Sequence, residues 1–133
     1  MANAMFGKGR EGFLAGDIDW DADDIRAILI DTGDYAVDIN VHDNLDDVAG
    51  ASRVAVTAAF SGKTVALGVA DAADIAFATV TGDQSEAVII YQHTGVESTS
   101  RLIAYIDTGT GFPITPNGGN ILITWDAAGI FTL

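Results

Sequence analysis

Residues 86–107 read EAVIIYQHTGVESTSRLIAYID, and this stretch decides the fold class. It holds two runs, EAVIIYQH (86–93) and RLIAYID (101–107), rich in Ile, Val and Tyr, whose branched or flat side chains suit a pleated surface. Between them stand Thr, Gly and Ser, which favour turns. The same alternation of apolar burst and turn extends outward through IRAILI (25–30), RVAVTAAF (53–60), KTVALGVA (63–70), DIAFATV (74–80), NILITW (120–125) and GIFTL (129–133). About eight strands in regular succession, with no long helix among them, predict an all-β protein: one antiparallel β-sandwich domain over residues 1–133, jelly-roll-like.

Local features refine this expectation. RVAVTAAF and KTVALGVA flank Ser61-Gly62 and read as a hairpin. Along IRAILI, the period of two puts Ile28, Ile30 and Arg26 on one face. NAMFGKGREGFLA (3–15) predicts a short N-terminal helical arm, with Asn3 as its cap and Met5, Phe6 and Phe13 on one side. VHDNLDDVAG (41–50) predicts a single helical turn. GTGFPITPNGGN (109–120) contains both prolines and several glycines, the composition of a long ordered loop or a crossing between sheets.

Charge narrows the possible partners. The 133 residues carry 6 Lys and Arg against 19 Asp and Glu, a net charge of −13, which repels nucleic acid and anionic membranes. The six cations are scattered, so no basic patch can be drawn. With no cysteine, disulfides and thiolate metal sites are excluded. Hydrophobic residues make up 49% and the mean hydropathy is +0.30, yet no apolar run nears the roughly 18 residues of a membrane helix. The N-terminal stretch lacks a secretory pattern, and synthesis in a cytoplasm without export by the standard route is expected.

Four motifs invite a chemical reading. Asp-Thr-Gly occurs at 31–33 and again at 107–109, the tripeptide that aspartic proteases pair so that two carboxylates share a proton. A chain of this length cannot form two lobes. Each triplet follows a strand-like run, and Asp-Thr-Gly is a favourable strand ending, because Asp accepts a turn hydrogen bond and Gly supplies positive φ. GKGREG (7–12) matches the dinucleotide fingerprint but has no strand before it, so it reads as chance. DIDWDADD (17–24) resembles half of a calcium loop, yet Ala22 and Ile28 stand where an EF-hand needs Gly and Glu. A solvated acidic turn with Trp20 tucked inward fits better. His42 and His93 lack any partner motif, although His93 could approach Asp107 at the end of a neighbouring strand. Together these residues supply no catalytic constellation and no cofactor, and no enzymatic activity is expected.

Three segments taken together, KGREGFLAGDIDWDADDIRAILIDTGDY (8–35), GKTVALGVADAADIAFATVTGD (62–83) and VIIYQHTGVESTSRLIAYIDTGTGFPITPNGGNILITWD (88–126), resemble a family of small structural proteins of tailed bacteriophages encoded beside capsid genes. The resemblance implies an all-β fold, a place in the virion, and a role in decorating or cementing the capsid; it carries over no catalytic residue. Gln92-His93 departs from the Lys-Asp pair expected there. On this reading the partners are the major capsid protein and further copies of the chain, as a dimer or trimer, and Met5, Phe6, Arg10, Phe13 and Leu14 are the expected interface, the N-terminal helix either ordering on a neighbour or closing one end of the chain's own barrel. The alternative is a minor head-fibre or tail protein contacting the host surface, with the 109–120 loop exposed. The apolar content suits the assembly reading, because surplus apolar surface is hidden by partners while charge keeps free copies apart.

Overall fold

A computed structural model describes residues 3–108 and 111–133; Gly109 and Thr110, which fall within the second Asp-Thr-Gly and the 109–120 loop, lie outside the described residues. The fold is antiparallel all-β with one short helix. Its ten strands are β1 (Ala4–Met5), β2 (Ile25–Ile30), β3 (Arg53–Val56), β4 (Thr64–Ala66), β5 (Val69–Asp71), β6 (Ile75–Phe77), β7 (Ala87–Gln92), β8 (Leu102–Ile106), β9 (Ile121–Ile123) and β10 (Phe131–Thr132), with α1 over Gly7–Ala15. They form a five-stranded sheet in the order β1-β8-β7-β2-β3, a three-stranded sheet β10-β5-β4 and a pair β6-β9. The antiparallel all-β class is as expected, and the strands are divided five, three and two among the sheets.

The five-stranded sheet is covered on both faces, which explains why AVIIY and LIAY are apolar without interruption. On one face Ile25, Ala27, Leu29, Val88 and Ile90 meet Ile18, Trp20, Phe60 and the two small sheets, through Ala70, Ile75 and Phe77. On the other, Ile28, Ile30, Ala87, Ile89 and Tyr91 meet Phe6, Tyr35, Leu45 and Val48, contributed mainly by the irregular segment before β3. Each such aliphatic side chain, fully withdrawn from water, stabilises the fold by about 1.5–3 kcal/mol. Arg26 lies on the Ile28/Ile30 face as expected, held to Asp24 by two hydrogen bonds of 2.9 Å.

Strand β8 contains a bulge. Ile90 pairs with Ala104 but Tyr91 pairs with Leu102, leaving Ile103 as the extra residue. Ile103 and Ala104 therefore both reach the first core while Leu102 joins the second. Helix α1 packs at this irregularity: the Phe6 amide donates to the Ile103 carbonyl at 2.9 Å, and Gly9 and Gly12 are buried. The helix thus covers one edge of the chain's own sheet.

Several expectations are corrected. RVAVTAAF does not pair with KTVALGVA; β3 pairs with β2, and the hairpin lies inside the second run, where Leu67-Gly68 connects β4 to β5. Both turn residues have positive φ, 51° and 81°, as a type I′ connection requires. Residues 3–15 are not all helical, because residues 4–5 add β1 to β8 before α1 begins at Gly7. Asn3 does not cap the helix, whose N-cap is Phe6 with no side-chain bond. The runs at 74–80, 120–125 and 129–133 shrink to three, three and two paired residues. The expected turn within 41–50 is a 3₁₀ turn at Leu45–Asp47, closed by a reciprocal cap between Asn44 and Asp47.

Candidate binding surface

The two Asp-Thr-Gly triplets end β2 and β8, which flank β7 and so run in the same direction. Both loops leave the same end of the sheet, separated by β7 at roughly 10 Å, two strand spacings, so this arrangement does not bring Asp31 and Asp107 together to share a proton. Each loop is fixed by an acceptor from elsewhere in the chain. Glu86 Oε1 takes the Thr32 amide and hydroxyl, both at 3.0 Å. Asn3 Oδ1 takes the amides of Asp107 and Thr108 and the Thr108 hydroxyl at 2.9–3.0 Å. Asp31 Oδ1 accepts the Gly33 amide at 2.9 Å, the turn bond expected of Asp. Gly33 does not have the positive φ expected of it; a Cβ there would instead lie 3.1 Å from that same Oδ1.

His93 does not approach Asp107. Antiparallel pairing sets Gln92 beside Arg101, with the Gln92 amide bonded to the Arg101 carbonyl at 2.9 Å, whereas Asp107 follows the Val88–Ile106 pair at the opposite end. Gln92 turns inward, its Nε2 donating to the Asp17 carbonyl and to Asp23 Oδ2. The acidic turn is knitted by such contacts. Asp17 pairs with Arg101 at 3.0 Å, Asp23 Oδ2 also accepts the Asp19 amide, and Trp20 is buried with its indole N–H on the Asp71 carbonyl at 3.0 Å. Carboxylates converge elsewhere, at Asp31, Asp34 and Asp83 and at Asp43, Asp46 and Asp47. In the second group Asp47 is engaged by the Asp43 and Asn44 amides, which, the Asp43 amide foremost, hold its pKa below the ordinary range.

Every cation of the chain is engaged internally. Lys8 pairs with Glu11, Arg26 with Asp24, Arg53 with Glu97 and Arg101 with Asp17. Arg10 donates to the Met5 carbonyl and Lys63 to the Asp23 carbonyl. With four of the six cations paired to carboxylates, the net charge of the surface is strongly negative.

Large apolar side chains are exposed at several places, Leu14, Val41, Val56, Val96 and Leu122 among them, and three more gather at the β4–β5 turn. Leu67 is 101% exposed at the tip of the β4–β5 turn, and Val65 and Leu133 are each 58% exposed, with the Leu133 amide bonded to the Gly68 carbonyl. Beside them a cleft of about 360 Å³ separates the end of α1 from the hairpin and β10. Buried Ile18 and Trp20 contribute to it, as do Phe13 and Phe131, while exposed Asp19 and Asp21 line it as well. Its aromatic rings interlock: Phe131 lies 5.8 Å from Phe13 and 5.1 Å, edge-on, from Trp20.

Of the residues expected at an interface, Phe6 is fully buried in the second core and Met5 packs against the first. Arg10 is exposed, Phe13 borders the cleft, and Leu14 is 89% exposed one residue further along the helix. The apolar tip at Val65, Leu67 and Leu133 escaped the sequence reading, because VALGV keeps the odd-numbered residues apolar through the turn and so reads as one strand. Gly68 was the single mark of the break. No model of a known protein family matches the sequence, and no curated protein matches it.

Proposed function

We propose that the chain is a bacteriophage virion structural protein of the decoration or cement type, which binds the outer capsid and stabilises the head by bridging major capsid subunits. The supporting observation is Leu67. A leucine in left-handed conformation costs roughly 1–2 kcal/mol relative to an ordinary backbone, and here it also holds its whole side chain in water. The turn requires the left-handed backbone but not a leucine in it, and a partner that covers the tip offsets the cost of the exposed side chain. Val65 and Leu133 extend the tip into a patch, and the net charge of −13 keeps free copies dispersed before assembly.

The mechanism is mass action. Each bound copy, acting as a dimer or trimer, adds buried interface between neighbouring subunits, and repetition over a symmetric shell multiplies a modest gain. Heads with and without the protein are compared for the temperature at which DNA escapes; equal resistance removes the proposal. Copy number per particle separates this role from that of a minor fibre or tail protein, with hundreds for a cement and few for a fibre. The 111–120 segment, largely exposed and anchored where Ile114 bridges to Ser85 and Gly118 and Gly119 bond to Val80, is the surface a fibre role would use.

A further inference from the structure

We infer that the cleft between the end of α1 and the β4–β5 hairpin receives a segment of a partner protein in which a large apolar side chain is flanked by Lys or Arg. The inference deepens the decoration reading, and rests on it for the partner's identity as a capsid subunit. The chemistry comes from the cleft itself. Trp20 is 3% exposed with its indole N–H satisfied by the Asp71 carbonyl, so it forms the floor of the cleft, and half-buried Phe13 and Phe131 with exposed Val65 and Leu133 present the apolar surface to an occupant. An aliphatic or aromatic side chain fits such a lining, and a polar one would lose its water without compensation.

The residues on either side of Trp20 set the sign of the charge. Asp19 and Asp21 are exposed and line the same cleft. Arg101 pairs with Asp17 and Lys63 donates to the Asp23 carbonyl in the same turn, but no described Lys or Arg forms an ion pair with Asp19 or Asp21 themselves. The two cations outside the ion pairs, Arg10 and Lys63, each donate to a backbone carbonyl and pair with no described carboxylate. A second copy, with a net charge of −13 and its own cations equally engaged, would bring mainly repulsion to this spot. The net charge therefore favours a different protein as the source of the positive charge. Charged rims govern encounter and salt dependence more than final affinity, so the apolar anchor supplies the hold and Asp19 and Asp21 supply the selection.

The test is a titration of the isotopically labelled full chain with three acetylated hexapeptides, followed by amide and indole NMR shifts. The first contains Lys-Leu-Phe-Arg between serines, the second replaces Leu-Phe by Ala-Ala, and the third replaces both basic residues by Glu. Shifts confined to the Trp20 indole, Gly16, Asp19, Asp21, Val65 and Gly68 are expected with the first peptide, and binding about tenfold weaker or worse with the other two. The double variant Asp19→Asn/Asp21→Asn, altered only at exposed carboxylates, should bind the first peptide several-fold less tightly and lose most of the salt dependence. Equal binding of the acidic peptide, shifts centred elsewhere, or no saturable shift at millimolar concentration overturns the inference. Heads lacking the protein keep the two ideas apart. If wild type and double variant bind such heads equally, the cleft inference falls and the decoration reading stands. If wild type does not bind heads, the decoration reading falls, and the peptide titration still decides what the cleft accepts.

Discussion

Gly9 lies against Ile103 with no space for a side chain: a Cβ on Gly9 would sit 2.7 Å from the Ile103 Cα and 2.8 Å from the Leu102 carbonyl oxygen. Gly12, one turn along, faces Ile18 instead, with a Cβ 2.6 Å from its Cδ1, the far end of a flexible side chain. Of the nucleotide-like GKGREG, Gly9 is therefore explained by the docking of α1 on the β8 bulge and Gly12 by the packing of Ile18 against the helix. Alanine raises helix propensity by about 1 kcal/mol at either position, but at Gly9 backbone must move. Gly9→Ala should destabilise by about 1–3 kcal/mol, and Gly12→Ala by clearly less. Urea unfolding of both variants measures the difference; a Gly9→Ala protein as stable as wild type would show that α1 does not sit on β8 in this way.

Arg53 closes three segments at once. Its guanidinium donates to the Val48 and Leu45 carbonyls at 2.7–3.1 Å and grips both oxygens of Glu97 at 2.9 and 3.0 Å. A lysine cannot supply that planar fork. Arg53→Lys should cost about 1.5–3 kcal/mol, the range for hydrogen bonds to a charged group, while Glu97→Gln, at an exposed partner, should cost much less. If Arg53→Lys and Glu97→Gln prove equally mild by chemical denaturation, the carbonyl contacts contribute nothing.

The tyrosines set the alkaline limit. Burial foremost, then the charges of Asp47 and Asp38 and neighbouring Tyr105, pushes the Tyr35 hydroxyl far above its ordinary range. Burial also raises Tyr91 and Tyr105, the latter helped by Asp107 and Glu86. The folded state keeps these protons while the unfolded chain releases them from about pH 10. The unfolded state then binds fewer protons, so stability is complete below that pH and falls as pH rises above it. Tyr35→Phe should flatten the decline between pH 9.5 and 11. At neutral pH it should cost about 1 kcal/mol, because the Tyr35 hydroxyl and the Asp38 amide both meet His42 Nδ1, at 2.7 and 3.2 Å. The amide can only donate, so Nδ1 accepts and the imidazole proton sits on Nε2. Urea midpoints across this range provide the measurement, and an unchanged slope in Tyr35→Phe contradicts the assignment.

How far the sequence foretold this molecule follows from the range of the forces involved. β2 appears over residues 25–30 as read, and β7 and β8 within a residue or so of their readings, because their side chains are buried on both faces and the apolar runs are uninterrupted. The short strands failed the test of pattern: β4, β5, β6, β9 and β10 carry two or three paired residues each, too few for a period of two to mark their ends. Asn3 was misread because its partners, Asp107 and Thr108, lie more than a hundred residues away. Local rules make it a helix cap; tertiary structure makes it the clasp of the second Asp-Thr-Gly loop. Trp20, flanked by acids, could turn only inward, and it does. The cleft itself joins the end of α1 to β5 and β10, a juxtaposition that no local pattern contains.

Leu67 provides the last prediction, because it separates the needs of the fold from those of a partner. A type I′ connection favours Asn-Gly, and the chain has Leu-Gly. Leu67→Asn relieves the left-handed strain and removes a fully exposed apolar side chain, and no buried contact is lost. The free protein should gain about 1 kcal/mol in urea unfolding. If the tip meets a capsid, the same variant should bind heads more weakly while unfolding at higher denaturant, a stability gain coupled to an affinity loss. A variant that is less stable than wild type would mean that Leu67 packs in a way its exposure does not reveal, and one that is more stable yet binds heads undiminished would remove Leu67 from the interface.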